Sequence, residues 1–139
     1  MAQSVRFSTP QDADQAFYRA FESADIEAMM EVWAGEENVT CIHPGSHRLQ
    51  GCEEIKSSWQ QIFTNGSPLR FTLTDSYYTQ DAHLAVHMVK ENIQVDGVLQ
   101  GVMLATNIYQ FIDGSWRMML HHASPEPQET DQQTTQTLH

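Results

Sequence analysis

Two Asp-Gly pairs, Asp96-Gly97 and Asp113-Gly114, constrain the fold of this chain more than any other feature in it. Asp-Gly between apolar runs signals a two-residue β-hairpin turn, because both central positions must take a positive φ. Around these pairs lie four long runs rich in Val, Ile, Thr and aromatic residues: 69–78, 82–95, 98–112 and 115–123. They read as strands. The first two are joined by Gln80-Asp81 and the others by the Asp-Gly pairs. Strands joined by such tight turns are antiparallel neighbours.

The first half of the chain is patterned differently. Thr9-Pro10-Gln11-Asp12 supplies an N-cap, a proline for the first helical turn and an early acid. Ala13, Ala16, Phe17, Ala20, Phe21 and Ala24 then recur at helical spacing. Asp25 caps a short second helix, with Ile26, Met29, Met30 and Trp33 inward and Gly35 as its breaker. Residues 39–43 form a short strand stopped by Pro44-Gly45, and 48–50 a second one ended by Gly51. A third helix spans about 53–64, with Ile55, Trp59, Ile62 and Phe63 on one face. The order α-α-β-β-α-β-β-β-β predicts an α+β fold. Three N-terminal helices pack on one face of a curved, mainly antiparallel sheet of about six strands. The 139 residues suit one domain, 1–124, and the Gln- and Thr-rich segment 125–139 reads as a polar tail.

Seven basic residues against 18 acidic ones leave a net charge of −11. Such a surface repels nucleic acid and anionic lipid, so neither is expected as a partner. No apolar run approaches the roughly 18–20 residues that span a bilayer, and the first residues lack a secretory apolar core. A cytoplasmic protein with Cys41 and Cys52 reduced is expected. The seven histidines show no ligand spacing. His43 and His47 flank a turn, and His121 and His122 point to opposite faces of a strand. His83 and His87 would share a strand face, but about 13 Å apart. No metal and no cofactor are expected.

Four motifs in register resemble the nuclear-transport-factor-2-like superfamily, the cone-shaped or cystatin-like fold. They are Ala24-Asp25-Ile26 through Trp33, Val39 through His43-Pro44, Leu49-Gln50-Gly51 with Ile55 and Trp59, and Asp113-Gly114-Ser115-Trp116 with His121-His122-Ala123-Ser124. The resemblance covers about residues 10–124, and the pattern is most similar to the SnoaL-like branch. It implies a pocket between the first helix and the concave face of the sheet. It also implies a homodimer through an outer sheet face, for which Trp116 with the alternating Tyr109 and Phe111 are the candidates. Aligned with ketosteroid isomerases of this superfamily, His43 stands at the general-base position before Pro44. Phe17 stands at the oxyanion Tyr position and Asn107 at the protonated Asp position. The hydroxyl of the first donor is therefore lost, with Tyr18 beside it on another helix face.

His43 and Asn107 are thus the candidate catalytic pair. A neutral imidazole takes a proton from carbon or water, and an amide N–H holds the developing oxyanion. Strand alternation adds Met103, and the register comparison turns Met119, His121 and Ala123 inward, with Trp116 and Met118 outward. The expected ligand pocket is Phe17, Trp33, Trp59, Met103, Met119 and His121 around that pair, with Trp33 and Trp59 as readily explained by the core alone. Two functions follow. One is a cofactor-free isomerase, cyclase or dehydratase acting on a small apolar carbonyl compound. The other is a non-catalytic dimeric binding or association module.

Overall fold

The computed structural model of the chain describes residues 5–127. Helix α1 (Pro10–Ser23) opens as its sequence dictates, with the Thr9 hydroxyl accepting from the Asp12 N–H at 3.0 Å. It closes on Ala24, whose φ of 52° is left-handed and whose N–H returns to the Ala20 and Phe21 carbonyls. The Asp25 carboxylate then accepts from the Ala28 N–H at 3.0 Å and starts helix α2 (Ile26–Val32). Two short strands follow, β1 (Thr40–Ile42) and β2 (Leu49–Gln50), and then helix α3 (Cys52–Phe63). The rest is β: β3 (Leu69–Gln80), β4 (Leu84–Val95), β5 (Val98–Ile112) and β6 (Ser115–Pro125).

The six strands form one sheet in the order β2-β1-β6-β5-β4-β3. The long strands are antiparallel neighbours, and only the β1–β6 pairing is parallel. The helices lay their apolar faces against the sheet. Phe17, Met29, Trp33, Ile55 and Trp59 are fully buried there with Val39, Cys41 and Met118. A core built from so many large side chains derives most of its stability from apolar area removed from water, about 25 cal/mol per Å².

Four details depart from the sequence reading. Ile62 is 40% exposed and leaves the inner face of α3 to Ile55, Trp59 and Phe63. Strand β4 begins at Leu84, because the Asp81 carboxylate accepts from the His83 and Leu84 N–H groups, each at 2.8 Å, and holds His83 in the turn. His83 therefore shares no strand face with His87. A bulge between Ile108 and Tyr109 in the β5–β6 pairing puts Met118 opposite Tyr109 and His121 opposite Asn107, so both face inward. Met118 is core, not outer surface, and Met119 is left half-buried against the core at the bulge. Finally, Tyr109 and Trp116 are buried and do not form an outer face. The convex face instead presents Tyr77, Met88 and Leu104. Glu126 still joins the sheet, donating its N–H to the Val102 carbonyl and pairing with Lys90 at 2.7 Å. The expected tail beyond 127 lies outside the described residues.

Candidate functional site

Side chains of one sheet face line up across strands when their residues are register partners. Here the register sets Tyr78, His87, Asn107, His121 and Cys41 side by side across β3, β4, β5, β6 and β1. One step along the inner face lie Tyr109, and in the other direction Val89 and then Glu91. Helix α1 covers this row with Asp14 and Tyr18, four residues apart and so on one stripe of the helix.

These polar groups are nearly all buried, and most of them satisfy one another; His87 Nδ1 has no aligned hydrogen bond. Asn107 is the hub. Its amide nitrogen donates to Asp14 Oδ1 at 3.2 Å and to the Tyr18 hydroxyl at 3.0 Å. Its oxygen lies 2.6 Å from His121 Nδ1. An amide oxygen only accepts, so His121 carries its proton on Nδ1. The Tyr18 hydroxyl donates to Glu91 Oε2 at 2.5 Å. The Tyr109 hydroxyl donates to Asp14 Oδ1 in a short bond, and Asp14 Oδ2 lies 2.9 Å from His87 Nδ1.

Two carboxyl groups share this buried space, with different partners. Asp14 receives donors from Asn107 and Tyr109 and faces His87. Glu91 has the Tyr18 hydroxyl, and burial pushes its pKa up to about 7, with the Asp14 charge raising it further and the Tyr18 bond opposing. Burial, with the Glu91 and Asp14 charges, also drives the Tyr18 phenol well above its ordinary range. His121 is pulled down to about 3, chiefly by burial and then by the neighbouring His43 and His122. It is a neutral ring at any physiological pH.

A cleft of about 310 Å³ opens between α1 and β3 directly above this network. Gln11, Asp14, Tyr18 and Arg19 form its helical wall, and Phe71 and Leu73 its strand wall. Asp14 and Tyr18 line both this cleft and the network beneath it.

Of the pair expected from the sequence, Asn107 is at the centre, but its amide N–H groups are already spent on Asp14 and Tyr18. It orients other groups. His43 is elsewhere: its Nε2 lies 2.7 Å from the Ser58 hydroxyl and its ring packs edge-on against Trp59 at 4.8 Å. Burial lowers its pKa, leaving it neutral. Among the described residues it has no hydrogen bond to Asn107. Phe17 and Trp59 pack on the His121 ring at 4.8 and 6.3 Å. Trp33 bridges β6 beside Met118 in the core. Met103 lies apart in a small cluster with Val89, Ala105 and Ala123.

Asp14 and Glu91 do not stand out in the sequence, His87 is considered there only as a metal ligand, and Tyr18, set on another helix face than Phe17, reaches the network with its hydroxyl. The signal for two of them was present: Ala85, His87, Val89 and Glu91 alternate along β4, two polar residues among buried small ones. Among the described residues no three His, Cys, Asp or Glu side chains are placed to hold one metal ion. None of the described helices is long and apolar enough to cross a membrane.

Comparison with known proteins agrees with the architecture. A crystal structure from Thiobacillus denitrificans, described provisionally as a calcium/calmodulin-dependent protein kinase type II association domain, is 33% identical with a TM-score of 0.84. It covers 89% of this chain and 100% of that one. A structure from Streptomyces avermitilis, described provisionally as a dehydratase of the NTF2-like family, is 31% identical with a TM-score of 0.75, covering 86% and 100%. The F-box protein SKIP8 of Arabidopsis thaliana is 29% identical over 108 residues, 78% of this chain and 46% of that protein. The chain thus spans about half the length of that curated relative. The model of the SnoaL-like domain matches residues 11–127. With the cone-forming sheet, the three helices laid on it and that match across nearly all the described residues, this chain belongs to the SnoaL-like domain family.

Proposed function

We propose that the chain binds a small, largely apolar carbonyl compound in the α1–β3 cleft and moves a proton on it without a cofactor, as an isomerase or dehydratase does. One observation carries this reading: a carboxyl group held protonated to about pH 7, Glu91, is bonded to Tyr18 in the cleft wall. In the liganded form the protonated Glu91 donates to the Tyr18 oxygen in place of accepting from it, which frees the Tyr18 O–H for the ligand carbonyl. As negative charge develops on the carbonyl oxygen, Glu91 backs Tyr18 as proton source. Asp14, one helical turn away in the same wall, takes the proton from the adjacent carbon. Asn107 positions both, and Phe71 and Leu73 supply apolar contact.

Deuterium uptake at the α-carbon of cyclohexanone in D2O, followed by proton NMR, tests this. The full chain should accelerate exchange over buffer, and Tyr18→Phe and Asp14→Asn should each lower it roughly 10²–10⁴-fold. His43→Ala should leave it unchanged. Loss with His43→Ala and not with Asp14→Asn would return the base role to His43. Absence of acceleration by the wild type would contradict the proton-transfer reading.

The second reading, an association module, is favoured by the convex face and by the relative described as an association domain. Tyr77 and Met88 are register partners there, 60% and 44% exposed, with Leu104 on the next strand. Two copies paired through this face would cover it, and such a dimer is compatible with an open cleft on the opposite side of the sheet.

A further inference from the structure

The proton-transfer reading leaves Ser76 and His87 without a part. The Ser76 hydroxyl lies 2.5 Å from His87 Nε2, and Ser76 is exposed while His87 is buried. On the other side of the ring, His87 Nδ1 stands 2.9 Å from Asp14 Oδ2. That carboxylate sits to one side of the ring N–H, so it acts by charge and not by an aligned bond. Serine oxygen, imidazole and carboxylate in this order are the parts that turn a weak hydroxyl into a nucleophile.

The arrangement is built by local structure. Along β3, Leu69, Phe71 and Leu73 face inward in step with β4. Between Thr74 and Tyr77 the register slips, and Asp75 and Ser76 stand together opposite the single Val89. Asp75 takes a left-handed φ of 54° to make this bulge. The slip reverses the alternation, which turns Ser76 and Tyr78 towards His87 and sends Tyr77 outward. Bulges that re-aim a side chain are typical beside active sites. Tyr78 then stacks on the His87 ring, 4.0 Å away and within 2° of parallel, and fixes its plane. Asp14 is itself fixed by Asn107 and Tyr109.

We propose that Ser76 is a nucleophile, with His87 as its base and Asp14 as the nearby anion, and that it accepts acyl groups from small esters at its exposed position on β3, three residues along the strand from Leu73 of the cleft wall. In the first step the Ser76 oxygen bonds to the ester carbonyl carbon and its proton passes to His87 Nε2. The carbon–alkoxy bond then breaks, and the His87 proton goes to the departing alcohol. In the second step water attacks the acyl-Ser76 carbonyl carbon, its proton passes to His87, and the acid leaves as Ser76 regains a proton. The Ser58–His43 pair is similar in distance but lacks a carboxylate: His43 makes no ion pair among the described residues.

An alkyl fluorophosphonate, which phosphonylates activated serines with release of fluoride, tests the proposal on the full folded chain. Peptide mass spectrometry should find one adduct, on Ser76, and none in Ser76→Ala. His87→Gln should slow labelling about 100-fold or more. The Ser76→Ala substitution is at an exposed site, so the test stands even where His87→Gln fails to fold. An adduct on Ser58, or an unlabelled wild type, would overturn the proposal. Neither outcome bears on deuterium exchange by Tyr18 and Asp14, so the two readings fail separately.

Discussion

Glu91 and His121 pull the stability of this protein in opposite directions with pH. Glu91 is raised from 4.5 to about 7 on folding, so the folded state holds its proton more tightly. Its contribution is complete below about pH 4.5 and is lost as pH rises through about 7. His121 is lowered from 6.5 to about 3, so the unfolded state binds protons more tightly. Its contribution is complete above about pH 6.5 and is lost as pH falls towards 3. The opposed slopes overlap between about 4.5 and 6.5, and stability should be greatest in that interval, as read from urea midpoints between pH 3 and 8. Glu91→Gln keeps the shape and the Tyr18 acceptor but cannot ionise. It should raise stability at pH 8 by up to about 3 kcal/mol and change little at pH 4. At this scale the sequence was partly legible. Asn107 and His121 follow from strand alternation and the register of a recognisable pattern. Glu91 and Asp14 do not, because a buried carboxyl looks like a surface one until its neighbours on other elements are known.

Elements were more legible than their joints. The Thr9 and Asp25 caps and the two Asp-Gly turns act as their local chemistry requires, since each depends on groups within a few residues. The bulges at Thr74/Tyr77 and Ile108/Tyr109 depend on a partner strand and have no comparable local signature. They decide which side chains face inward, which is why alternation alone puts Met118 and Trp116 on the outer side. Asp75 makes the first of them tolerable, because Asp accepts a left-handed φ better than branched residues do. Its contact with Lys90, 3.9 Å and exposed, adds little. Asp75→Val should therefore cost about 1–2 kcal/mol and Asp75→Gly close to nothing, measured by urea unfolding. If both behave alike, the bulge is not held by the conformation of residue 75.

For the whole molecule, the sequence carried the fold through the order and lengths of its elements, and the sheet and its helices take the expected arrangement. What it could not carry is the identity of the outer face, because that follows from the bulges. If Tyr77, Met88 and Leu104 form a dimer face, light scattering should give a mass twice 15.8 kDa for the wild type. Met88→Lys, which sets a charge in the middle of the face, should give 15.8 kDa with the fold unchanged. A wild-type monomer would remove the association reading. A carboxyl group poised near neutrality behind the cleft wall is the feature on which proton transfer depends. Its most direct test is a carbon-13 NMR titration of the Glu91 side-chain carboxyl in the intact protein, assigned by its absence in Glu91→Gln. A midpoint close to pH 7 is expected. A midpoint near 4.5, that of a glutamate in water, would contradict the claim.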